Sequence, residues 1–308
     1  MGRFTRREFL KWQAGAALAL AGPAGLVLPR RVWASTDPDL AVVSGKPGAA
    51  TRAAVELMGG MGAFVSSGQK VVIKPNMSFD NSPEMGTTTH PEVISALAGM
   101  CLEAGAAGVL IVDHPLRSIR PCLKNSGISS ACASLQDCEV RGVDASKGFV
   151  STEIKNAEHF QETEVLREVL EADVLIAAPV AKHHGSTGVS LSMKGMMGLI
   201  ANRGELHWRY ELHTAIADLS RLLRADLTVI DVTRALTTNG PSGPGKVKEL
   251  NKVVASRDMV AADALVTSMV PWYGRNVPAD KVDHIRIAHE WGLGRMDVDN
   301  LLVRRLEL

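Results

Sequence analysis

The chain has 308 residues, of which 46% are hydrophobic, and its 34 lysines and arginines nearly balance 33 aspartates and glutamates. This length and apolar content are sufficient for a large buried core. The near-neutral charge excludes a protein dominated by a basic face for nucleic acid.

The first 34 residues have the features of an export signal. Paired arginines, Arg6-Arg7, precede a weakly apolar stretch at residues 14–28, and Val32-Trp33-Ala34 offers a site for a signal peptidase. The apolar stretch is shorter than the roughly 20 residues that a membrane-spanning helix needs. The pattern predicts a twin-arginine signal peptide over residues 1–34, and therefore a periplasmic protein, rather than a membrane anchor.

Residues 35–308, which remain after removal of the predicted signal, differ in net charge from the full chain. Removal of the signal takes away six basic residues and one acidic residue, which leaves 28 basic and 32 acidic residues and a net charge of −4. We therefore expect no nucleic-acid partner. The sequence contains no other apolar segment long enough to span a bilayer, so no transmembrane segment is expected in the mature chain. It is predicted to form a single α/β domain, with two sub-domains as the alternative.

Short apolar runs alternate with helical patterns along this part of the chain. Continuous apolar runs, as in strands buried on both faces, occur at residues 71–73, 109–112, 174–177 and 227–230. Helical spacing occurs at residues 91–104, 163–172, 212–225 and 261–265. This alternation is typical of βαβ units, so the predicted fold is α/β, with a mostly parallel sheet and helices on both faces.

Polar residues follow each predicted strand, where open α/β sheets bind their ligands. They are Lys74, Asn76, Asp113, Lys182, His183, His184 and Asp231. A lysine at the end of an apolar strand needs an anionic partner, so Lys74 is predicted to contact a substrate or cofactor, with a structural salt bridge as the alternative. Asp113 and Asp231 are candidates for three roles: metal ligand, general base or loop cap.

Residues 182–213 are the stretch richest in residues that could carry chemistry, with four of the nine histidines and two lysines. Histidine can bind metal or move a proton near neutral pH, whereas a hydrogen-bonded structural role is the alternative for each one. Glycines and hydroxyls let the backbone approach an anion, with Lys194 as its counter-ion. Three methionines in this stretch, Met193, Met196 and Met197, are predicted to be core residues rather than ligands.

The candidate residues divide by role. The catalytic candidates are His184, Lys194, Lys74 and Asp231. The ligand-binding or cofactor-binding candidates are Asn76, Lys182, Thr187, Gly188 and Lys194. The candidates for binding a metal ion are His184, His207, His213 and Asp113.

The four cysteines lack a Cys-x-x-Cys pair, so neither an iron–sulfur cluster nor a zinc knuckle is indicated. In an oxidising compartment two of Cys122, Cys132 and Cys138 could form a disulfide, and the sequence does not decide which pair. Cys101 is predicted to be a core residue.

Further along the chain, the loop at residues 240–245 is predicted to be a shaped loop beside a site. Asp258 is a predicted helix cap. Asp263 is placed on a solvated helix surface, with a buried network as the alternative. His284 and His289 are predicted to be surface residues.

Several of these segments together resemble the domain-of-unknown-function family numbered 362. They are residues 71–76, 88–93, 182–198 and 239–243. The resemblance implies an α/β fold and links to redox or iron–sulfur modules, with no established reaction. Some members carry a ferredoxin-like cysteine segment that this chain lacks, so a cluster role would need an exported redox partner protein.

A second resemblance concerns spacing. His184 lies ten residues before Lys194, and His207 or His213 follows. This is similar to lactate racemase-like proteins that carry a nickel-pincer nucleotide. The resemblance implies that Lys194 anchors the cofactor, the later histidine binds nickel, and His184 acts as acid and base in hydride transfer on a hydroxy acid.

The sequence therefore predicts an exported α/β protein that binds a small anionic ligand, metal or cofactor at the strand ends. A redox-linked enzyme is favoured over a non-catalytic binding or maturation factor for an exported redox enzyme. Neither a cofactor nor a particular metal ion is identified.

Overall fold

The computed structural model describes residues 37–308. The predicted signal peptide at residues 1–34 lies outside these residues. Within the described range, no helix is both long and apolar enough to cross a membrane.

Fourteen strands occur in the described chain, ten of them in one sheet. In chain order they are β1 (Leu40–Ser44), β2 (Lys70–Pro75), β3 (Gly108–Asp113), β4 (Cys138–Gly142), β5 (Phe149–Glu153), β6 (Glu162–Leu166), β7 (Val174–Ala178), β8 (Val180–His184), β9 (Gly188–Ser190), β10 (Leu227–Leu236), β11 (Val247–Ser256), β12 (Pro271–Trp272), β13 (Arg275–Asn276) and β14 (Val303–Glu307).

The large sheet has the order β14-β1-β11-β10-β7-β2-β3-β4, and β8 and β9 extend from β10. Most of its pairings are parallel, including those along the run β10-β7-β2-β3-β4. The strand β11 is antiparallel to both of its neighbours. Two small hairpins, β5 with β6 and β12 with β13, lie apart from this sheet.

Nine α-helices are present in residues 37–308. They are α1 (Pro47–Leu57), α2 (Pro91–Glu103), α3 (Ile119–Asn125), α4 (Ile128–Cys132), α5 (Arg167–Glu171), α6 (Ser192–Gly195), α7 (Leu212–Leu222), α8 (Met259–Met269) and α9 (Asp283–Glu290). Short 3₁₀ helices occur at Met61–Ala63, Pro83–Met85, Met196–Leu199, Glu205–His207, Ala279–Lys281 and Val298–Asn300.

The sheet separates two hydrophobic clusters, because successive side chains of a strand point to opposite faces. Val72 belongs to one cluster, together with residues of α7, α8 and α9, on what we call the first face. Ile73 belongs to the other, together with residues of α1, α2 and α4, on the second face. The predicted α/β fold, with a mostly parallel sheet and helices on both faces, is confirmed.

Most predicted elements are present, with one error. All four predicted strands form, and the helices predicted at residues 91–104 and 212–225 form with slightly shorter ends. The helix predicted at residues 163–172 is half wrong, because its first part is β6 and only its second part is α5. Thr163 and Val165 are buried at a spacing of two and pair with β5, which is a strand pattern.

The buried positions of several sulfur-containing residues agree with prediction. Cys101 lies in the core of the second face. Met193, Met196 and Met197 lie in the core of the first face. These methionines are therefore packing residues.

Candidate functional site

A buried ion pair joins the ends of two neighbouring strands. The strands β2 and β3 are parallel and pair Ile73 with Ile111, so their carboxyl ends lie side by side. Lys74 Nζ lies 2.9 Å from Asp113 Oδ1, and both side chains are buried. Burial alone would raise the pKa of Asp113, but Lys74 and Arg203 hold it below the usual carboxyl value. This is the structural salt bridge that was the alternative for Lys74.

The oxygen atoms of the Asp113 carboxylate already have all the hydrogen-bond and ion-pair partners that they can accept. Its Oδ2 accepts hydrogen bonds from Met77 N at 2.9 Å and Ser78 Oγ at 2.8 Å. Its Oδ1 accepts one from His114 N at 2.9 Å and faces Lys74. A carboxylate has about four lone-pair sites, so none is left for a metal ion.

Gly198 packs directly against this ion pair. A Cβ at this position would come to 2.8 Å from Lys74 Nζ and closer still to Asp113 Oδ1. The carbonyl of Gly198 also accepts a hydrogen bond from His114 N at 3.2 Å. The absence of a side chain here is therefore a condition for the ion pair.

Two further cations, the buried Lys182 and the half-buried Arg203, have carbonyl oxygens as partners. Lys182 Nζ donates to Thr87 O at 2.8 Å. Arg203 donates to the carbonyls of His114 and Pro115. Burial lowers the pKa of Lys182 to about 7 against the attraction of Asp113, and the neighbouring lysines lower it further. Arg203 was not among the predicted site residues, although it lies within the rich stretch of the sequence.

Lys194 is the cation with the weakest partner. It lies on α6, is 8% exposed, and its Nζ contacts Met197 Sδ at 3.2 Å. A thioether is a poor acceptor for an ammonium group. Burial and the charge of Arg203 lower the pKa of Lys194 to about 8. We call Lys74, Lys182, Lys194 and Arg203 the cationic cluster; Asp113 is the carboxylate paired within it.

His184 adds a neutral hydrogen-bond donor to this cluster. Burial and the charge of Lys194 lower its pKa to about 3, so the imidazole is neutral at physiological pH. Its Nδ1 accepts a hydrogen bond from Ser186 N at 3.2 Å, which places the single proton on Nε2. His184 stacks on His207 with 6.0 Å between ring centroids. In this tautomer Nε2 can donate to an anion but cannot ligate a metal.

His213 and His284 form a second stacked pair. Their rings lie 5.4 Å apart, and the two Nδ1 atoms are 3.2 Å apart. His213 Nδ1 also accepts from His284 N, so the proton between the rings belongs to His284. The prediction that His284 is a surface residue is wrong, since it is 0% exposed beneath α7. Its Nε2 has no hydrogen-bond partner among the described residues.

The four predicted metal-binding residues are not gathered around one centre. His184 and His207 form one pair, His213 pairs with His284, and Asp113 pairs with Lys74. Across residues 37–308, no three His, Cys, Asp or Glu side chains are arranged to hold a metal ion.

Asp231 lies apart from the cationic cluster. Alternation along β10 places it on the second face with Val229, whereas Lys74 shares the first face with Val72. Its Oδ2 accepts from His90 N at 2.7 Å, at the start of α2. Its Oδ1 accepts from the amide and hydroxyl of Thr233. The structure thus places Asp231 in a bonding network of its own.

Of the predicted ligand-binding residues, Asn76 ties two strand ends together. Its Oδ1 accepts from Val180 N at 3.0 Å, and its backbone N donates to Thr89 Oγ1 at 2.9 Å. Thr187 lies in the turn between β8 and β9, where its hydroxyl donates to Val189 O, and Gly188 is the first residue of β9. Lys182 and Lys194 are the members of that group that the structure brings into the cationic cluster.

Asp263 supports the helix that carries Lys194. Its carboxylate oxygens accept from the amides of Ser192 and Met193, each at 2.9 Å, at the start of α6. Burial raises the pKa of Asp263 to about 7, although these hydrogen bonds oppose the rise. The surface position predicted for Asp263 is therefore wrong, and the buried network is correct. One carboxylate in the otherwise apolar sequence of α8 was the available signal.

The predicted helix cap is present, and the loop at residues 240–245 packs closely against its neighbours. Residues 240–245 pack against β8, since a Cβ on Gly240 would overlap His183 O. Ser242 O accepts a hydrogen bond from Asn81 Nδ2 at 3.0 Å. Asp258 caps α8 through Val260 N and Ala261 N.

Comparison with known proteins gives a family and one curated relative. Residues 71–268 match the family model described as Domain of unknown function (DUF362). A thylakoid-associated protein of Synechocystis sp. is 27% identical over 237 residues, which cover 75% of this chain and 72% of that protein.

Two solved structures resemble the fold at low identity. A Thermotoga maritima protein has a TM-score of 0.44 and 14% identity, covering 67% of this chain and 56% of that one. The lactate racemase apoprotein of Thermoanaerobacterium thermosaccharolyticum has a TM-score of 0.43 and 13% identity, covering 71% and 54% respectively. The chain thus spans little more than half the length of either structure.

Proposed function

The chain belongs to the DUF362 family, and from that premise we propose that it binds a small multivalent anion in the cationic cluster. The anion bears phosphoryl or carboxylate oxygens. The observation that carries this proposal is Lys194, a buried ammonium group whose contact is a thioether.

Burial of a charge without a counter-charge costs several kcal/mol per ion. The cluster holds four cationic side chains and one carboxylate, so three positive charges are uncompensated when all are ionised. A buried excess of this size is destabilising in an empty site. A bound anion would supply the missing charge and accept the hydrogen bonds.

The donors in the cluster suit such a ligand. Lysine and arginine bind phosphate and carboxylate through charge-assisted hydrogen bonds. The neutral His184 supplies an Nε2–H donor beside Lys194 without adding further charge. Binding of one anion accounts for the presence of all these donors in one region.

An enzyme is favoured over a non-catalytic binding factor because two groups of the cluster titrate near neutral pH. Lys182 has a pKa of about 7 and Lys194 one of about 8. Either amine can therefore hold or release a proton during turnover, as acid–base catalysis requires. His184 orients the ligand rather than acting as the base.

The proposal extends to location: the protein is exported by the twin-arginine pathway. Two observations support this, the Arg6-Arg7 signal at residues 1–34 and the relative that is thylakoid-associated.

Calorimetric titration of the purified protein with pyrophosphate, and separately with citrate, tests the binding proposal. Lys194→Met keeps most of the length of the side chain and removes its charge, so we expect affinity to fall about tenfold to a hundredfold. Lys70→Met is the matched control, because Lys70 is an exposed lysine at the other end of β2.

The two probes separate the chemical classes, since preferential binding of pyrophosphate assigns phosphoryl oxygens and that of citrate assigns carboxylates. Binding should also weaken at high salt. If the wild type binds neither probe, or if Lys194→Met and Lys70→Met bind equally well, the proposal is wrong.

A further inference from the structure

Two cysteines meet where α4 and β4 approach each other on the second face. Cys132 is the last residue of α4, and Cys138 is the first residue of β4, the edge strand of the large sheet. The chain between them turns back through a hydrogen bond from Leu135 N to Cys132 O at 3.0 Å. Both side chains pack in the same hydrophobic cluster.

The two side chains lie close enough to affect each other's ionisation. The interaction with Cys132 lowers the pKa of Cys138, and the interaction with Cys138 raises that of Cys132. Cys138 is partly exposed and lines a surface cleft, whereas Cys132 is 2% exposed. One sulfur is thus an accessible nucleophile, and its contact partner is a shielded thiol.

The other two cysteines have different surroundings. Cys101 contacts Met61 Sδ at 3.8 Å; burial, with a smaller contribution from Cys138, raises its pKa to about 12. Cys122 is buried on α3. Burial and the charge of Asp80 raise the pKa of its thiol, and no other cysteine contributes to this shift. The three-way choice that the sequence leaves open is therefore narrowed to one pair.

We infer that Cys132 and Cys138 are a redox-active dithiol that closes to a reversible disulfide between α4 and β4. Cys138 attacks a disulfide-bearing oxidant such as oxidised glutathione, and one glutathione leaves as its thiol. Cys132 then attacks the mixed disulfide at Cys138, and the second glutathione leaves. The oxidant is reduced by two electrons, and the two thiol protons end on its two thiols.

The pair is independent of the proposed anion site. Cys138 begins β4, and its cleft is lined by residues from the amino-terminal ends of strands β2 and β3, such as Lys70 and Gly108. The cationic cluster lies at the carboxyl ends of the same strands. Oxidation would connect the edge strand to the helix that packs beside it.

Peptide mass analysis after equilibration with reduced and oxidised glutathione, followed by thiol alkylation, tests the inference. In the wild type we expect a single cross-link between Cys132 and Cys138, with a loss of two hydrogens. Cys101 and Cys122 should remain thiols that react with the alkylating reagent after unfolding. Four alkylatable thiols in the most oxidising mixture, or a cross-link to another cysteine, would overturn it.

Variants assign the two roles. In Cys132→Ala the mixed disulfide at Cys138 cannot be displaced, so a glutathione adduct should accumulate there. In Cys138→Ala the shielded Cys132 should acquire none, and in the control Cys122→Ala the cross-link should still form. An adduct on Cys132 but not on Cys138 would contradict the assigned order of attack.

Discussion

At the scale of single residues, Lys194 is the side chain whose environment differs most from what a lysine ordinarily requires. It is buried among other cations, and its pKa falls from 10.5 to about 8. The folded state therefore binds this proton less tightly than the unfolded chain does. A residue that weakens the fold in this way is expected where function selects it.

This predicts that Lys194→Met stabilises the protein while it weakens anion binding. A change of pKa from 10.5 to about 8 corresponds to about 3 kcal/mol of unfolding free energy at pH 7. Because the penalty applies to the protonated amine, it is complete below about pH 8 and vanishes as pH rises through the unfolded value of 10.5.

Urea denaturation of wild type and Lys194→Met across this pH range, without added anion, measures the difference. Lys70→Met, at an exposed position, should change the stability little at any pH. A Lys194→Met protein that is less stable than wild type at pH 7 would show that the ammonium has a stabilising partner.

Sequence reasoning found some site residues and missed others for a physical reason. Lys74 and Lys194 were detected because a lysine next to an apolar strand or in a glycine-rich stretch is unusual. Arg203 was not selected from the histidine-rich stretch, and His284 was predicted to be a surface residue because its burial depends on elements distant in the sequence. The same limit applies to Asp113, whose partner could be identified only once β2 and β3 were known to be neighbours.

At the scale of elements, the cationic cluster depends on how closely the segment after α6 approaches the ends of β2 and β3. Gly198 provides that approach, as a side chain there would overlap the buried ion pair. The strands themselves could be predicted, because their apolar runs are continuous. β6 could not, because its buried residues Thr163 and Leu166 are three positions apart, which also fits a helical spacing.

We therefore predict that Gly198→Ala destabilises the protein strongly. Its Cβ would separate Lys74 from Asp113 and leave buried charges unpaired, which costs about 3–5 kcal/mol. Gly185→Ala is the control, since a Cβ at Gly185 meets nothing within 4 Å. Equal unfolding midpoints for the two variants in urea would mean that the ion pair tolerates the added methyl group.

At the scale of the whole molecule, the chain combines a predicted export signal with a fold that brings distant segments together. The α/β class and the parallel core of the sheet follow from the alternation of strands and helices. The order of the strands in the sheet does not follow from that alternation, because β10 and β11 lie between β1 and β7 although they come late in the sequence. Pairing partners at such separations leave no local signal.

For export, we predict that replacement of Arg6 and Arg7 with lysine leaves uncut precursor in the cytoplasm. The parent protein should appear in the periplasm, cut after Ala34, because the arginine pair selects the twin-arginine route. Fractionation with immunodetection and amino-terminal sequencing measures both outcomes. Periplasmic accumulation of the double variant at the normal level would contradict this prediction.

The position of β1 has a consequence for synthesis of the protein. It pairs with β11 on one side and β14 on the other, so both of its partners are translated late. Residues 40–44 leave the ribosome with two open edges and stay unpaired until residues 247–307 have emerged. An apolar strand in this condition is prone to pair with other nascent chains. Shielding of β1 by a chaperone until translation is nearly complete would prevent such pairing.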